Sequence, residues 1–564
     1  MASHVAVDEM PAGEADGQPE PAGKSVPAET GPPRSRANVV ATYAVELLAV
    51  LPALYMAWRV HRAPLMQYWD YWNAFYRITN PDGSPRWRGF LTYQNEHPFA
   101  VPSVIYYLAA RFTDGNNRVL GYFVVVVAAL SVLLLRSLLP DRWSPVTRAW
   151  LTVAMSFIVF CPAGLWNFTR GMSGTAWLTA NLFAIAAILL ANRRLTLLAV
   201  GAAGLSLLSY GTGFGAFVAV AAIALLRREA KWRWLLPLAL LVAGGAIYLL
   251  TTPGGTSGGG VSRDLPLLAS TFLSNLGLLW APLDTQLSTI CGAAGLVLFA
   301  LAASVAWRRR DLDDLVPWFA LGGYAIVAAG LVSLGRSEAL EGDGVLSRYA
   351  SLPALFWIAV MIVVLRVLLA GQPIAVGAIL AAASVLVFYA AAPPLVAQAR
   401  AMDPAQNLLA TAVRIDAADS FGPSFQRPDD VVPRLKALHD YPFSGRYSLG
   451  CGHLVPGDSI DVSQDRPLSP AAGRADFDRV TRDARRLRGW LVSRDKPVRC
   501  VLVVDPGGTI VGGGFYGFDR PDVVRTVPGA GSSVGWEAVA PAADSDATVV
   551  FGFDDGYRPL AAAP

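Results

Sequence analysis

The chain carries little charge for its length. Charged residues make up 16% of its 564 residues and hydrophobic residues 54%, whereas a typical soluble domain is about 25% charged. Apolar runs close to the ~20 residues that cross a bilayer as a helix recur through most of the chain. The sequence therefore predicts a multi-pass α-helical membrane protein of the cell membrane.

Signals of nucleic-acid or nucleotide binding are also lacking. The formal net charge is only +4, no basic face or nucleic-acid motif is present, and most arginines stand at the ends of apolar runs. The glycine-rich stretch TTPGGTSGGGVSRD at 251–264 has neither the Gly-Lys-Ser/Thr ending nor the strand–turn–helix context of a phosphate-binding loop. We predict no nucleic-acid partner, and we interpret this stretch as a loop that could close over a substrate as a lid.

The chain divides into three predicted regions. Residues 1–38 are rich in Pro, Gly, Ala and acids without an apolar core, which favours a disordered cytoplasmic tail over a signal peptide. A transmembrane domain is predicted over 39–395, with about eleven spans. An extracytoplasmic C-terminal domain is predicted over 396–564, mixed at 396–485 and a β-sandwich at 486–564, where short strands alternate with turns. The predicted spans are 39–60, 118–139, 147–165, 172–191, 195–209, 211–226, 234–252, 286–307, 315–334, 350–370 and 373–392.

The connecting charges predict orientation. Arginine-rich loops alternate with loops poor in base, and positive loops stay in the cytoplasm. The N-terminus is therefore predicted inside and the C-terminal domain outside. Arginine pairs at 193–194 and 227–228 can both lie inside only if the stretch between them turns, and Gly211, Gly213 and Gly215 supply the break. Irregular backbone at that depth is tolerable only where it lines a protein cavity.

Cysteine is scarce, with four residues. Cys161 and Cys291 fall in or beside apolar runs, where cysteine packs as a small hydrophobe. Cys451 and Cys500 lie in the part predicted outside the cytoplasm, where disulfides persist. Their separation alone leaves both a bridge and two free thiols open.

Unexplained polar residues gather on the predicted outer side. Asp70 stands among aromatics in YWDYW, Glu96 and His97 follow in the same loop, and three arginines occupy other outer loops: Arg170, Arg336 and Arg348. An enzyme at that face has no nucleotide sugar, so its donor would reside in the membrane, as a polyprenyl-phosphate sugar does. Such a site needs a carboxylate base, cations for the departing phosphate and aromatic walls for sugar rings.

These features resemble the GT-C superfamily of integral-membrane glycosyltransferases. The resemblance rests on the acid in the first outer loop after span 1, the number of spans, the outer C-terminal domain and the stretches NEHP (95–98) and GR…SRY (335–336, 347–349). It implies transfer of a sugar, with inversion, from a polyprenyl-phosphate donor to a cell-envelope glycan, lipid or protein acceptor. It also implies contact with membrane lipid. The implied catalytic residues are Asp70 as base with Glu96 and His97. The implied substrate- and phosphate-binding residues are Arg170, Arg336, Arg348, Tyr349, Trp69 and Trp72.

Other interpretations of the same residues stay open. Asp70 could cap a helix, and its aromatic neighbours could form an interfacial belt. The Glu-His pair could cap the short apolar helix predicted within 98–112, or could join Asp70 around a divalent cation. The outer arginines could pair with acids nearby: Glu338, Glu341 and Asp343.

Three competing functions also stay open. A transporter or lipid-sugar flippase would show broken helices and polar residues deep within the spans, whereas here the polar residues gather at one face. A polysaccharide polymerase would work at that same face. A non-catalytic scaffold would only display the C-terminal domain.

Overall fold

The computed structural model describes residues 36–560, apart from short gaps. The gaps are 252–262, 311, 341–346, 369–372, 419–420, 422–423, 463–466, 470–471, 482, 494–495 and 545. Nearly all of the predicted N-terminal tail, most of the glycine-rich stretch, Glu341 and Asp343 lie outside the described residues.

From Arg36 to Ala401 the described chain is mostly helical and contains one small strand pair. The helices are α1 (Arg36–Leu48), α2 (Leu51–His61), α3 (Tyr71–Ile78), α4 (Ala100–Thr113), α5 (Asn117–Arg136), α6 (Pro145–Val159), α7 (Leu165–Thr169), α8 (Gly171–Asn192), α9 (Thr196–Ser209), α10 (Phe214–Leu226), α11 (Lys231–Thr251), α12 (Leu265–Gly277), α13 (Thr285–Arg309), α14 (Val316–Arg336), α15 (Ser351–Leu368) and α16 (Pro373–Ala401). The strands are β1 (Tyr93–Gln94) and β2 (His97–Pro98).

Among the described residues, eight helical segments are long and apolar enough to cross a membrane, which fits a membrane protein. On α11, Val242, Leu249 and Leu250 are 71%, 80% and 86% exposed, a pattern that suits contact with lipid. The predicted spans at 195–209, 211–226 and 350–370 correspond to helices of 10–17 residues. The predicted number of spans is therefore not confirmed, because apolarity locates a helix but does not fix its length.

The predicted break in the middle of the domain is confirmed. Helices α9 and α10 are separated by a single 3-10 turn at Gly211–Gly213. A Cβ on Gly213 would lie 2.2 Å from the backbone nitrogen of Leu207, so only glycine fits where the chain folds back.

Helix α12 has no counterpart among the predicted spans. It packs against α13 at glycines, where a Cβ on Gly277 would lie 1.8 Å from the Ser288 carbonyl oxygen. Small residues allow such close backbone approach between apolar helices.

The C-terminal part combines short helices with one sheet. The helices are α17 (Asp403–Arg414), α18 (Pro428–Leu438) and α19 (Pro521–Thr526). The strands are β3 (Gly473–Val480), β4 (Ala484–Leu491), β5 (Cys500–Val504), β6 (Ile510–Phe518), β7 (Gly535–Pro541), β8 (Thr548–Phe553) and β9 (Gly556–Pro559).

These seven strands form a single antiparallel sheet in the order β3-β4-β7-β6-β5-β8-β9. The region is thus a β-rich half-barrel, and the predicted sandwich is not confirmed, since the described strands give no second sheet to pack on this one. One face carries its own core around Trp536 and Phe551. The other face is covered in part by α17 through Leu408 and Ala412. Strand alternation reveals buried faces, but it does not show whether a helix or another sheet covers them.

The cysteine question is resolved by the fold. Cys451 and Cys500 form a disulfide with their Cα atoms 5.5 Å apart, within the range for such bridges. The bridge ties the segment after α18 to the start of β5. Cys161 and Cys291 are free.

The C-terminal part clamps the first loop of the membrane domain. Tyr71, Trp72 and Phe75 of α3 share one core with Leu409 of α17 and Leu435 of α18. This packing removes a large aromatic area from water, which is the main source of such stability.

Backbone contacts complete this clamp. Arg434 Nε donates to the Thr79 carbonyl at 3.1 Å, and the Tyr441 amide donates to the Asp114 carbonyl at 2.8 Å. Thr79 and Asp114 lie in the first loop, which is thereby fixed as a rigid platform.

Candidate functional site

Two parts of the first loop bring its acids together. Asp70 immediately precedes α3, and β1 pairs with β2 so that Asn95 and Glu96 form a two-residue hairpin turn. Gln94 Nε2 donates to the Asp70 carbonyl oxygen at 3.2 Å. The hairpin therefore lies directly against the start of α3.

The residue before each acid has a left-handed backbone. Trp69 has φ of +43° and Asn95 has φ of +52°. Asparagine adopts this region readily, and it suits such a turn, whereas a bulky residue like tryptophan pays a steric cost. Strain of this kind collects at functional sites, where the surrounding structure enforces it.

Three adjoining cavities lie beside these acids. The main cavity, of about 320 Å³, is lined by Asp70, Trp69, His97, Arg170 and Arg348 among others. The arginine compartment, of about 280 Å³, is lined by Trp69, Asp70, Asn95, Tyr210, Arg336, Arg348 and Tyr349. The apolar compartment, of about 130 Å³, is lined by Glu96, His97, Phe214, Tyr248, Leu331 and Arg336 among others. Tyr210 lines all three, so the cavities meet at its ring.

Asp70 presents a carboxylate without a partner. Its side chain makes no capping hydrogen bond to α3, so the capping interpretation is wrong. Within the described part of the chain, no hydrogen bond or ion pair engages this carboxylate, and its charge acts on Arg348 and Arg77. Asp70 is half-buried and lines both the main cavity and the arginine compartment.

Arg348 is fixed on a 3-10 turn at Ser347–Tyr349. Asn167 Nδ2 donates to the Arg348 carbonyl at 3.0 Å. The guanidinium of Arg348 lies 5.2 Å from the centre of the Tyr349 ring. Burial lowers the pKa of Arg348, but Tyr349, Tyr210 and Asp70 together raise this pKa above its ordinary value. The guanidinium therefore stays charged.

Glu96 and Arg336 form an ion pair, with Glu96 Oε1 2.6 Å from Arg336 Nη2. The second oxygen, Oε2, is buried without a hydrogen-bond partner in the described structure. Arg336 thus pairs with Glu96 of the first loop and not with Glu338, its near neighbour in the sequence. The hairpin glutamate holds this arginine against the cavity.

His97 is a neutral, half-buried side chain. Its ring centre lies 3.9 Å from that of Tyr210. Burial, and then the charges of Arg336 and Arg348, lower its pKa to about 3. His97 is therefore uncharged at neutral pH and forms part of the wall of the main cavity and of the apolar compartment.

The helix-capping interpretation of the Glu-His pair is also wrong. Helix α4 begins at Ala100 with Phe99 as its cap residue, and no side chain bonds to its first amides. The helix itself confirms the one predicted at this place.

The three first-loop residues do not form a metal-ligand set. Among the described residues, no group of three or more His, Cys, Asp or Glu side chains is placed to hold a metal ion. Glu96 is turned toward Arg336 instead.

Trp72 does not line any of these cavities, which corrects its predicted role as a wall. It is 1% exposed and packs edge-on against Phe425, with ring centres 4.9 Å apart. Helix α3 begins between these two tryptophans. The side chain of Trp69 therefore lies at the cavity, whereas that of Trp72 lies in the core.

Several wall residues were not predicted. Trp166, Trp177 and Tyr210 line the main cavity. Tyr210 lies directly before the glycine break. Irregular backbone within a membrane domain must line a cavity, so this break could have pointed to Tyr210. Asp403, which pairs with Arg170 at 3.1 Å, had no local signal because it comes from α17.

Comparison with known proteins adds no relative. No family model, curated protein or solved structure matches the chain. The site itself therefore carries the functional argument: a carboxylate without a partner among the described residues, two arginines and aromatic walls line adjoining cavities.

Proposed function

We propose that the protein is a GT-C-type membrane glycosyltransferase. It would transfer a sugar from a polyprenyl-phosphate donor to an extracytoplasmic glycan, lipid or protein acceptor, with inversion at the sugar carbon. The observation that carries this proposal is the carboxylate of Asp70, which has no partner among the described residues and lines both the aromatic main cavity and the arginine compartment, as Arg348 does.

In the proposed reaction, an acceptor hydroxyl in the main cavity gives its proton to Asp70 as its oxygen attacks the anomeric carbon. The bond from that carbon to the phosphate oxygen breaks on the opposite face. The leaving polyprenyl phosphate keeps the bonding electrons, and Arg336 and Arg348 stabilise its charge in the arginine compartment. Glu96 orients Arg336.

The apolar compartment suits the first isoprene units of the donor. Phe214, Tyr248 and Leu331 line it, and it adjoins the arginine compartment through Tyr210, Arg336 and Tyr349. A lipid phosphate bound at the arginines would therefore direct its chain into apolar surroundings.

We also propose the topology that this reaction requires. Helices α9, α10 and α15 would cross as short spans beside the eight long segments, which places the N-terminus in the cytoplasm and the C-terminal domain outside. The disulfide of Cys451 and Cys500 supports that placement, because such bridges persist in oxidising compartments.

The test is transfer of labelled sugar from polyprenyl-phosphate donors by the purified protein. Replacing Asp70 by Asn removes the base, so we expect a loss of about 10²–10⁴-fold in rate. Asp82→Asn is the matched control, since Asp82 is an exposed acid of the same loop, bonded to Ser84. Unchanged transfer by Asp70→Asn would remove Asp70 as the base. A ladder of successive additions would favour the polymerase.

A further inference from the structure

Arg170 lies apart from the other cavity arginines, at the junction of α7 and α8. Its side chain is 3% exposed and lines the main cavity, but it does not line the arginine compartment. Nη2 donates to Asp403 Oδ1 at 3.1 Å. Nε and Nη1 are buried with no hydrogen-bond partner in the described structure.

Unpaired donors of this kind are costly. Leaving a buried polar group without a hydrogen bond costs about 1–3 kcal/mol, and more for a charged group. A ligand oxygen that accepts from Nε or from Nη1 would recover part of that energy, and the second proton of Nη2 lies beside either donor. The guanidinium lies 5.7 Å from the ring centre of Tyr68 and 5.9 Å from that of Trp166, so it is held between the aromatic walls.

The charge around Arg170 is also unbalanced. Asp403 is its only salt-bridge partner among the described residues, and Arg59 and Arg400 act on that same carboxylate. Arg59 is 3% exposed, and its Nε likewise has no partner. The charges of three guanidinium groups thus act on one carboxylate, an excess of positive charge that an anion would balance.

We propose that Arg170 binds an anionic group of the acceptor. This inference rests on the proposed function, in which Asp70 lies between the binding site of the sugar donor and that of the acceptor. Arg336 and Arg348 line the compartment assigned to the donor phosphate, and Arg348 lies where this compartment borders the main cavity. Arg170 lines the main cavity and not the arginine compartment, on the side where the acceptor hydroxyl must approach Asp70. The planar fork of an arginine matches a carboxylate or a phosphate, so the acceptor would be a sugar acid or a phosphorylated glycan or lipid.

The test measures binding of small probes to the full-length protein in lipid nanodiscs, by fluorescence of the cavity tryptophans. The probes are glucuronate, glucose 6-phosphate, glucose and farnesyl phosphate. We expect at least one of the two anionic sugars to bind about tenfold or more tightly than glucose, because charge-assisted hydrogen bonds are worth about that much. Tighter binding of glucuronate would identify the acceptor anion as a carboxylate, and tighter binding of glucose 6-phosphate would identify it as a phosphate.

Three variants isolate Arg170. Arg170→Gln should abolish the preference for the anionic sugar, and Arg170→Lys should keep part of it. Asp403→Asn should strengthen anionic binding, because it frees Nη2 and removes a negative charge; a folding defect cannot produce that gain. Arg111→Gln, at an exposed arginine of α4, is the matched control for charge removal.

Three results would overturn the proposal. The first is a wild-type protein that binds glucose as tightly as both anionic sugars, and the second is an Arg170→Gln variant that keeps the preference for the anionic sugar. The third is an Arg170→Gln variant whose binding of farnesyl phosphate is weakened as strongly as that of Arg336→Gln, since Arg170 would then serve the donor. Binding needs no turnover, so a failure of Asp70 as the base would leave this measurement intact.

Discussion

Two arginine–carboxylate pairs contribute side chains to the adjoining cavities, and among the described residues they are left unsatisfied in opposite ways. In the pair of Arg336 and Glu96, the carboxylate keeps a buried oxygen without a partner. In the pair of Arg170 and Asp403, the guanidinium keeps two buried donors without a partner. The presence of an ion pair alone therefore does not determine which ligand group a site binds. The atoms of the pair that lack a hydrogen bond determine whether the site binds a hydrogen-bond donor or an acceptor.

The largest expected effect comes from breaking the first pair. Arg336→Gln leaves Glu96 with an uncompensated charge near the departing phosphate, so we expect transfer to fall about 10²–10³-fold, as for loss of one transition-state donor. The unfolding temperature should fall too. Adding Glu96→Gln should restore the unfolding temperature without restoring transfer. A double variant that recovers activity would show that the pair is structural only.

The second effect uses the neutral histidine beside that pair. The pKa of His97 is about 3 in the folded protein and about 6.5 in an unfolded chain. The unfolded state therefore binds more protons, and stability is lost as pH falls from about 6.5 toward 3, by about 2 kcal/mol at pH 5. Thermal unfolding at pH 7.5 and pH 5 should show a smaller loss for His97→Gln than for the wild type. Equal losses would contradict a neutral His97.

The smallest effect concerns the backbone that presents Asp70. Trp69→Gly removes a tryptophan from a left-handed conformation, which should stabilise the fold by about 1 kcal/mol. The same change removes an aromatic wall between the two arginine pairs, so sugar transfer should weaken. Asn95→Gly is the matched control, with a smaller gain, because asparagine tolerates this conformation. Denaturant unfolding and transfer assays measure both quantities, and a destabilised Trp69→Gly would show that stacking on Tyr68 outweighs the strain.

The sequence allowed much of the helical framework to be predicted, because apolar runs and glycine breaks are local signals. The turn at Gly211–Gly213 and the helix after His97 are examples. Asp70, Glu96, Arg336 and Arg348 were predicted to lie together because the predicted topology puts them on one side of the membrane, and they line adjoining cavities.

The remaining features depend on contacts between distant parts of the chain. The pairing of Glu96 with Arg336, and of Arg170 with Asp403, joins segments with no common local pattern. Trp72 was predicted at the cavity because it neighbours Asp70, but the start of α3 turns it into the core. Whether the β-strands form one sheet or two depends on what covers each face, and α17 covers part of one.

The clamp on the first loop has a consequence for biosynthesis. Arg434 and Thr79 are 355 positions apart, and ribosomes add about 5–20 residues per second, so the loop emerges roughly 20–70 s before α18 can hold it. During that interval Asp70 and Glu96 have no rigid platform. The nascent chain therefore cannot hold these two acids in their final arrangement until the C-terminal part arrives. Under the proposed function, an unfinished chain would not consume its sugar donor before that time.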